Sequence, residues 1–277
     1  MPATEQNHYL VDSHCHLDRL KLGDAESLAT VLAAARAAGV GQLLSVAVDL
    51  QSAQQLQRLA DQHSGLFCSA GVHPLQEQRQ PLATAAQLRA LAAHPKVVAI
   101  GETGLDNHYL TDSDAEQQAH WQQQSFALHL ATAAELDLPV IVHTREARQQ
   151  TLEMIERAAS PAAGVLHCFT ESREMAEAAI ALGYYISLSG IVTFNSAKAL
   201  REVAKWLPLE RLLVETDAPW LAPVPHRGRE NRPALVREVA KFIAELRGIS
   251  LAELAAASSD NFYRLFSRAK PYREELI

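Results

Sequence analysis

Eight short apolar runs punctuate the chain: Leu10–His16, Gln42–Val48, Leu66–Val72, Val97–Gly101, Pro139–His143, Val165–Phe169, Tyr184–Ile191 and Leu212–Thr216. Between them lie longer stretches rich in Ala, Leu, Gln and Glu with helical periodicity. These include Ala25–Ala38, Gln51–Gln62, Asp114–Leu136, Ala147–Ala159, Arg173–Leu182 and Ala197–Trp206, with a last one at Pro233–Arg247. Near-continuous apolar runs suit strands buried on both faces, and strand alternating with helix predicts βαβ units around a parallel sheet. Gly39, Gly65, Gly164 and Gly183 fall between a helical stretch and the next strand, where helix stops are expected. In the tail, Leu251–Ala257 and Asn261–Arg268 read as two short packing helices.

The polar residues choose between two sheet topologies. Almost every run ends in a group with chemistry: His14 and His16, Asp49, His73, Glu102, His143, His167 and Asp217. An open doubly wound sheet concentrates ligands at one switch point, whereas a barrel gathers the ends of many strands into one crater. The expected fold is therefore a (β/α)₈ TIM barrel, residues 1–277 forming a single domain with short C-terminal helices. A chain of 277 residues is a common size for such a barrel.

His14 and His16 stand two apart, so on a strand both imidazoles share a face while Cys15 turns away. Taken singly, each polar strand end reads as well as a helix cap, a salt bridge or a turn. Glu102 is costly to bury unless paired or metal-bound, and the glycines at 101 and 104 favour close backbone packing beside it. Gathered in one crater, His14, His16, Glu102, His143, His167 and Asp217 exceed the needs of one ion with an open position. Mixed imidazole and carboxylate donors suit two divalent metal ions (Mg²⁺, Mn²⁺ or Zn²⁺), with Glu102 bridging. Two ions can clamp the attacking and leaving oxygens of an in-line displacement and activate water. Asp217 and Glu102 are then the expected catalytic residues, Asp217 handling the proton. Glu215 would orient a ligand from one layer deeper, or form a buried ion pair.

Formal net charge is −7, so a broadly basic surface that coats nucleic acid is not expected, although bound cations can create a local field that the overall charge does not. Three scattered cysteines argue against a disulfide framework. Met1 to Leu10 lacks a charged start followed by an apolar run, and no apolar stretch is long enough to cross a bilayer. A cytoplasmic protein with no membrane contact and no obligate protein partner is expected. Pro225 to Pro233 holds three arginines after the last strand; Arg227, beside Asp217, is the expected phosphate contact, while Arg229 and Arg232 read as solvated. His73 and Arg145 are further candidates for substrate contact. Trp220 could stack a base, with packing beneath its loop as the default.

The ordered set of His-x-His, anionic strand-four residue, two later histidines and a final Asp resembles the amidohydrolase superfamily, and most closely the TatD family of metal-dependent deoxyribonucleases. The resemblance runs over nearly the whole chain. It is carried by Asp12-Ser-His-Cys-His16, Gly71-Val-His-Pro74, Gly101-Glu-Thr-Gly-Leu-Asp106, Val142-His-Thr-Arg145, His167-Cys-Phe169, Ser189-Gly-Ile-Val-Thr-Phe194, Glu215-Thr-Asp-Ala-Pro219, Arg227-Gly228 and Asn261-Phe262. It implies metal ligands at the six positions named above and cleavage of nucleic-acid phosphodiesters by 3′-to-5′ trimming, at single-stranded ends rather than in duplex. Asn107-His108-Tyr109 departs from the further aromatics common in the family after Gly-Leu-Asp. Two rivals remain: a small-molecule amidohydrolase or phosphoesterase on the same metals, and a non-catalytic protein with a relic site. A carboxylated Lys on strand four, frequent in the former, is replaced here by Glu102, and an intact ligand set disfavours the latter.

Overall fold

A computed structural model describes residues 9–23, 26–75, 81–110 and 114–277. The expected helix start at Ala25 and the N-terminal segment before Tyr9 lie outside them. Eight strands form one parallel sheet in sequence order: β1 (Leu10–Cys15), β2 (Val40–Ser45), β3 (Leu66–Ala70), β4 (Val97–Asp106), β5 (Val140–Arg145), β6 (Gly164–Leu166), β7 (Tyr185–Leu188) and β8 (Leu212–Val214). The sheet closes just past β8, where the His16 amide donates to the Ala218 carbonyl at 2.7 Å and the Asp217 amide to the His14 carbonyl at 2.9 Å. Helices α1 (Leu28–Ala37), α2 (Leu50–Gln62), α3 (Ala85–Ala92), α4 (Ala115–Leu136), α5 (Arg148–Ala158), α6 (Arg173–Ala181), α7 (Lys198–Trp206) and α8 (Val236–Arg247) alternate with the strands, and α9 (Leu251–Leu265) follows. This is the (β/α)₈ barrel. No helix among the described residues is long and apolar enough to cross a membrane.

Strand periodicity sorts side chains into two cores. Leu10, Leu43, Leu66, Val140, Leu166, Ile186 and Leu212 face the helices, while their neighbours Val11, Leu44, Phe67, Ile141, Val165, Tyr185 and Leu213 fill the barrel. Phe262 and Phe266 of the C-terminal segment join the inner set and give the barrel a packed floor. The tail differs from expectation here: one helix, α9, runs through Ala257–Asn261 and is followed by a 3₁₀ stretch, Ser267–Tyr272. The polar run does not break it because its side chains satisfy buried carbonyls. Ser259 donates to Tyr9 O at 2.7 Å, and Asn261 donates to Leu209 O and Leu212 O at 2.8 and 2.9 Å.

Helix α3 was not anticipated, although Thr84 and Gln87 form the reciprocal capping box that marks its start. Asp49 is likewise a cap: its Oδ1 accepts from Ser52 N at 2.6 Å at the head of α2, so this strand-end carboxylate goes to helix ends and not to the crater's centre. Gly39 and Gly183 stop α1 and α6 in the left-handed region, as expected. Gly65 and Gly164 do not have positive φ.

The strand register shifts at four places, and two of these shifts fall at the mouth. Asp12 pairs with Leu43 and Cys15 with Ser45; Ile100 pairs with Val140 and Thr103 with Val142. Each time three steps on one strand face two on its neighbour, which is a β-bulge. The bulges insert Ser13-His14 and Gly101-Glu102 between outward-facing residues, so strict alternation gives way where the barrel opens. Close approach follows. Gly104 sits at φ +143°, and a Cβ there would drive into the His143 carbonyl oxygen. On the other side, His129 of α4 ties the β3 loop to the helix. Its Nδ1–H donates to Ser125 O at 2.7 Å, and its Nε2 accepts from Val72 N at 3.0 Å.

Two outcomes are expected. Gly104→Ala combines a backbone that L-residues rarely adopt with a steric clash, and should cost at least about 2 kcal/mol in denaturant unfolding; a loss below a few tenths would contradict the packing described. His129 is the second. Burial pushes its imidazole down to about 4. With a folded value below the unfolded one, its contribution is complete above the unfolded value of about 6.5 and is lost as pH falls through 4. The stability difference between wild type and His129→Leu should therefore shrink by about 3 kcal/mol from pH 7 to pH 4, where a flat difference would show that His129 titrates normally.

Candidate metal centre

All six expected ligands meet at the mouth of the barrel. The Glu102 carboxylate, 2% exposed, sits at the middle, and its two oxygens face different partners. Oε2 lies 3.4 Å from His14 Nε2 and 3.8 Å from His16 Nε2. Oε1 lies 2.7 Å from His167 Nε2, 3.3 Å from His143 Nδ1 and 3.2 Å from His73 Nε2. Asp217 Oδ1 closes the first group at 3.4 Å from His16 Nε2 and 3.9 Å from His14 Nε2. His14, His167 and Asp217 also offer donor atoms within 4.8 Å of one another, so the two groups adjoin.

The residues that frame these ligands fix which nitrogen is free. His16 Nδ1 donates to Val46 O at 2.8 Å, which in the neutral ring leaves the Nε2 lone pair facing the centre. His143 Nε2 donates to Asp106 Oδ2 at 3.0 Å, which leaves Nδ1 facing Glu102. His167 Nδ1 lies 3.4 Å from Glu215 Oε1, an oxygen that also accepts from Cys168 N at 2.7 Å. Glu215 therefore sits beside the His167 ring, one layer deeper than Asp217. His73 differs: its Nδ1 accepts from Leu75 N at 3.1 Å, so the neutral ring carries its proton on Nε2 and presents a donor. It suits a hydrogen bond to Glu102 or to a bound group better than a bond to a cation.

Several observations fit cations at this centre. His14 Nε2 and His16 Nε2 face each other at 3.0 Å, and the His14 and His167 rings stack at 3.9 Å. His14 Nδ1 and both His167 nitrogens are buried without a hydrogen bond, since His167 Nε2 meets Glu102 at short range in a non-hydrogen-bonding geometry. Buried nitrogens that converge on one space with so few hydrogen-bond partners fit a set of cation ligands. Burial alone would raise the Glu102 carboxyl; His167, His73, His14 and His143 outweigh it and hold the group well below the usual carboxylate range. Burial and the neighbouring His167 push His14 down, favouring its neutral, ligating form. The backbone contributes as well: Asp217 and Cys168 adopt left-handed φ of 57° and 44°, curling the chain at the ends of β8 and β6.

Above the ligands opens a cleft of about 860 Å³, lined by Arg19, Tyr109, Arg145 and Trp220 among others. Arg145 therefore stands where expected for a substrate contact. Arg227 is exposed, stacks on Phe194 at 4.2 Å and does not line this cleft. Arg232 pairs with Glu26 and Glu230, a structural role. Trp220 is not packed beneath its loop; it is 49% exposed, its ring edge-on to His16 at 5.2 Å. Asp106 is an addition to the expected site, since β4 runs on to Asp106 where the apolar pattern ends at Gly101. The clue was its spacing, four residues past Glu102 along an extended strand.

Comparison with known proteins agrees with this arrangement. A hydrolase of Escherichia coli K12, YcfH, described as an uncharacterized metal-dependent hydrolase, is 50% identical over 263 residues, spanning 93% of this chain and 96% of that protein. The Shigella flexneri protein named 3′-5′ ssDNA/RNA exonuclease TatD is 39% identical over 86% of this chain and 92% of its own length. The crystal structure of YjjV, a TatD homologue from Escherichia coli K12, superposes with a TM-score of 0.85 at 34% identity, covering 94% of this chain and 99% of that one. The family model for TatD related DNase matches residues 11–267. With a His/Glu/Asp cluster gathered at the mouth of the barrel and a family model matching nearly the whole chain, the chain belongs to the TatD family of metal-dependent hydrolases.

Proposed function

We propose that residues 1–277 form one metal-dependent phosphodiesterase unit, a TatD-type deoxyribonuclease that trims single-stranded nucleic acid from the 3′ end. The observation that carries this reading is the division of Glu102: one oxygen faces His14 and His16, the other His143 and His167. A carboxylate so flanked suits a bridge between two divalent cations, Mg²⁺, Mn²⁺ or Zn²⁺, the first completed by Asp217. When bound, two such ions supply charge neutralisation and water activation for an in-line displacement at phosphorus. The name of the Shigella relative supports the substrate class.

The chain's own groups perform the rest. Asp217, held well ionised because His16, His14 and His167 overcome the effect of its burial, takes up the proton of the attacking water. Asp106 and Val46 O lock the rings of His143 and His16. His73 directs its Nε2–H into the cleft beside Glu102. Arg145 offers a planar fork to a phosphate at the rim. Four carboxylates, Asp49, Glu102, Asp106 and Asp217, line the same cleft, so a polyanion can approach only when cations reverse that field. A small ester or amide is the rival substrate, favoured by the −7 net charge.

A labelled single-stranded oligonucleotide should be shortened from its 3′ end with added metal and left intact with chelator. Resistance to every metal, together with hydrolysis of small esters or amides, would transfer the function to the rival. Asp217→Asn should lose at least about 10²-fold in turnover while keeping its thermal midpoint within a few degrees; near-normal turnover refutes the proton role.

A further inference from the structure

Around the ligand crater, the rim carries large exposed apolar side chains among its polar groups. Tyr109 is 54% exposed, Trp220 49% and Leu75 39%, and all three line the cleft. Large exposed rings beside a functional cleft signal a surface that binds something. Trp220 follows β8, and Tyr109 follows β4, which lies across the barrel from β8 in the sheet order. The ligands lie between them.

Both rings project from fixed backbone. Trp220 N donates to Asp217 O at 2.9 Å, and its carbonyl accepts from the buried Asn231 side chain at 2.7 Å. Asn231 also donates to Thr216 O at 2.9 Å. The Tyr109 loop is tied to the loop after β5. Asn107 N donates to Arg145 O at 2.9 Å, and the Asn107 side chain donates to Glu146 O at 3.0 Å. His108 Nδ1 lies 2.7 Å from Glu146 Oε1. The Arg145 guanidinium lies 5.1 Å from the centre of the Tyr109 ring. A second hollow of about 420 Å³, holding Arg148 paired with Glu171, continues from the cleft through Arg145 and Thr170.

Resting on the nuclease reading, we propose that Trp220 and Tyr109 are the two walls of a base-stacking clamp. Trp220 holds the base at the 3′ end beside His16 and Asp217, and Tyr109 holds a base further along the strand. Arg145 takes the phosphate near Tyr109, and the strand leaves by the second hollow. Flat rings recognise any base by its face, so the clamp is indifferent to sequence. A base paired in a duplex has both faces covered and cannot enter, which makes these two residues the determinants of single-strand preference.

The test compares a 5′-labelled single strand with the same strand lacking bases on its two 3′-terminal sugars. Trp220→Ala and Tyr109→Ala should each lower kcat/KM on the base-bearing strand by about 5- to 150-fold, chiefly through KM. Their loss on the base-free strand should be at least about 5-fold smaller, and Trp220→Phe and Tyr109→Phe should recover most of the activity. Equal losses on both strands, or none on either, overturn the clamp while leaving the nuclease intact. A wild type inert toward the base-bearing strand with Mg²⁺, Mn²⁺ and Zn²⁺ overturns both.

Discussion

A carboxylate buried at the mouth of a barrel is the constraint on which the site is built. Glu102 is all but removed from water, and an isolated charge there would carry a large desolvation cost. Five imidazoles surround it within 3.8 Å. They keep it ionised, yet they cannot all be protonated, since His14 and His167 stack face to face. A cluster of this kind is stable in its charged form only through shared protons or shared cations. Each supporting contact narrows the choice. Val46 O and Asp106 claim protons on the outer nitrogens of His16 and His143, which turns their inner lone pairs toward Glu102.

The barrel makes that cluster affordable by separating stability from chemistry. Strand alternation fills the interior from Val11 and Leu44 round to Leu213, and α9 seals the lower end with Phe262 and Phe266. Polar groups are then confined to the other end, as barrel enzymes generally arrange them. At that end regularity is broken: one bulge in β1, one in β4, and left-handed residues at Cys168 and Asp217. The irregularities sit one residue or less from a proposed ligand. Close backbone approach at Gly104 lets β4 and β5 bring Asp106 and His143 into contact.

Much of this was legible in the sequence because it depends on patterns with short periods. Eight apolar runs gave the strands, and their polar termini gave His14, His16, Glu102, His143, His167 and Asp217 as a convergent set. The i, i+2 rule also placed Cys15 correctly, buried among the outer core. What escaped depends on register and on neighbours remote in the chain. Asp106 was hidden because β4 runs five residues beyond its apolar stretch, and its partner is on β5. Asp49 reads as one more polar strand end, and only the fold shows that it caps α2 through Ser52. The Ser258–Asp260 run reads as a helix break, since nothing local shows that Leu209 and Leu212 carbonyls wait for Asn261 just beyond it. The exposure of Trp220 is set by Asn231, eleven residues away, which fixes the loop from below.

Charge distribution links the proposed substrate to the fold. The chain carries −7 overall, so most of its surface repels a polyanion. Attraction can arise locally at the cleft, where Arg19 and Arg145 stand at the rim and cations would sit beneath. Arg19 lies 3.3 Å from both Asp18 and Asp49, which hold it in place and reduce its reach as a free charge. The nucleic acid proposed as substrate would then be held near the ligands by these arginines and by the cations beneath them. Such a balance favours capture of termini over binding along the strand, and it lets a shortened product leave without peeling from an extended basic surface. The end trimming proposed for this chain would then depend on the ligand cluster and the two rim arginines together, set against the overall negative charge.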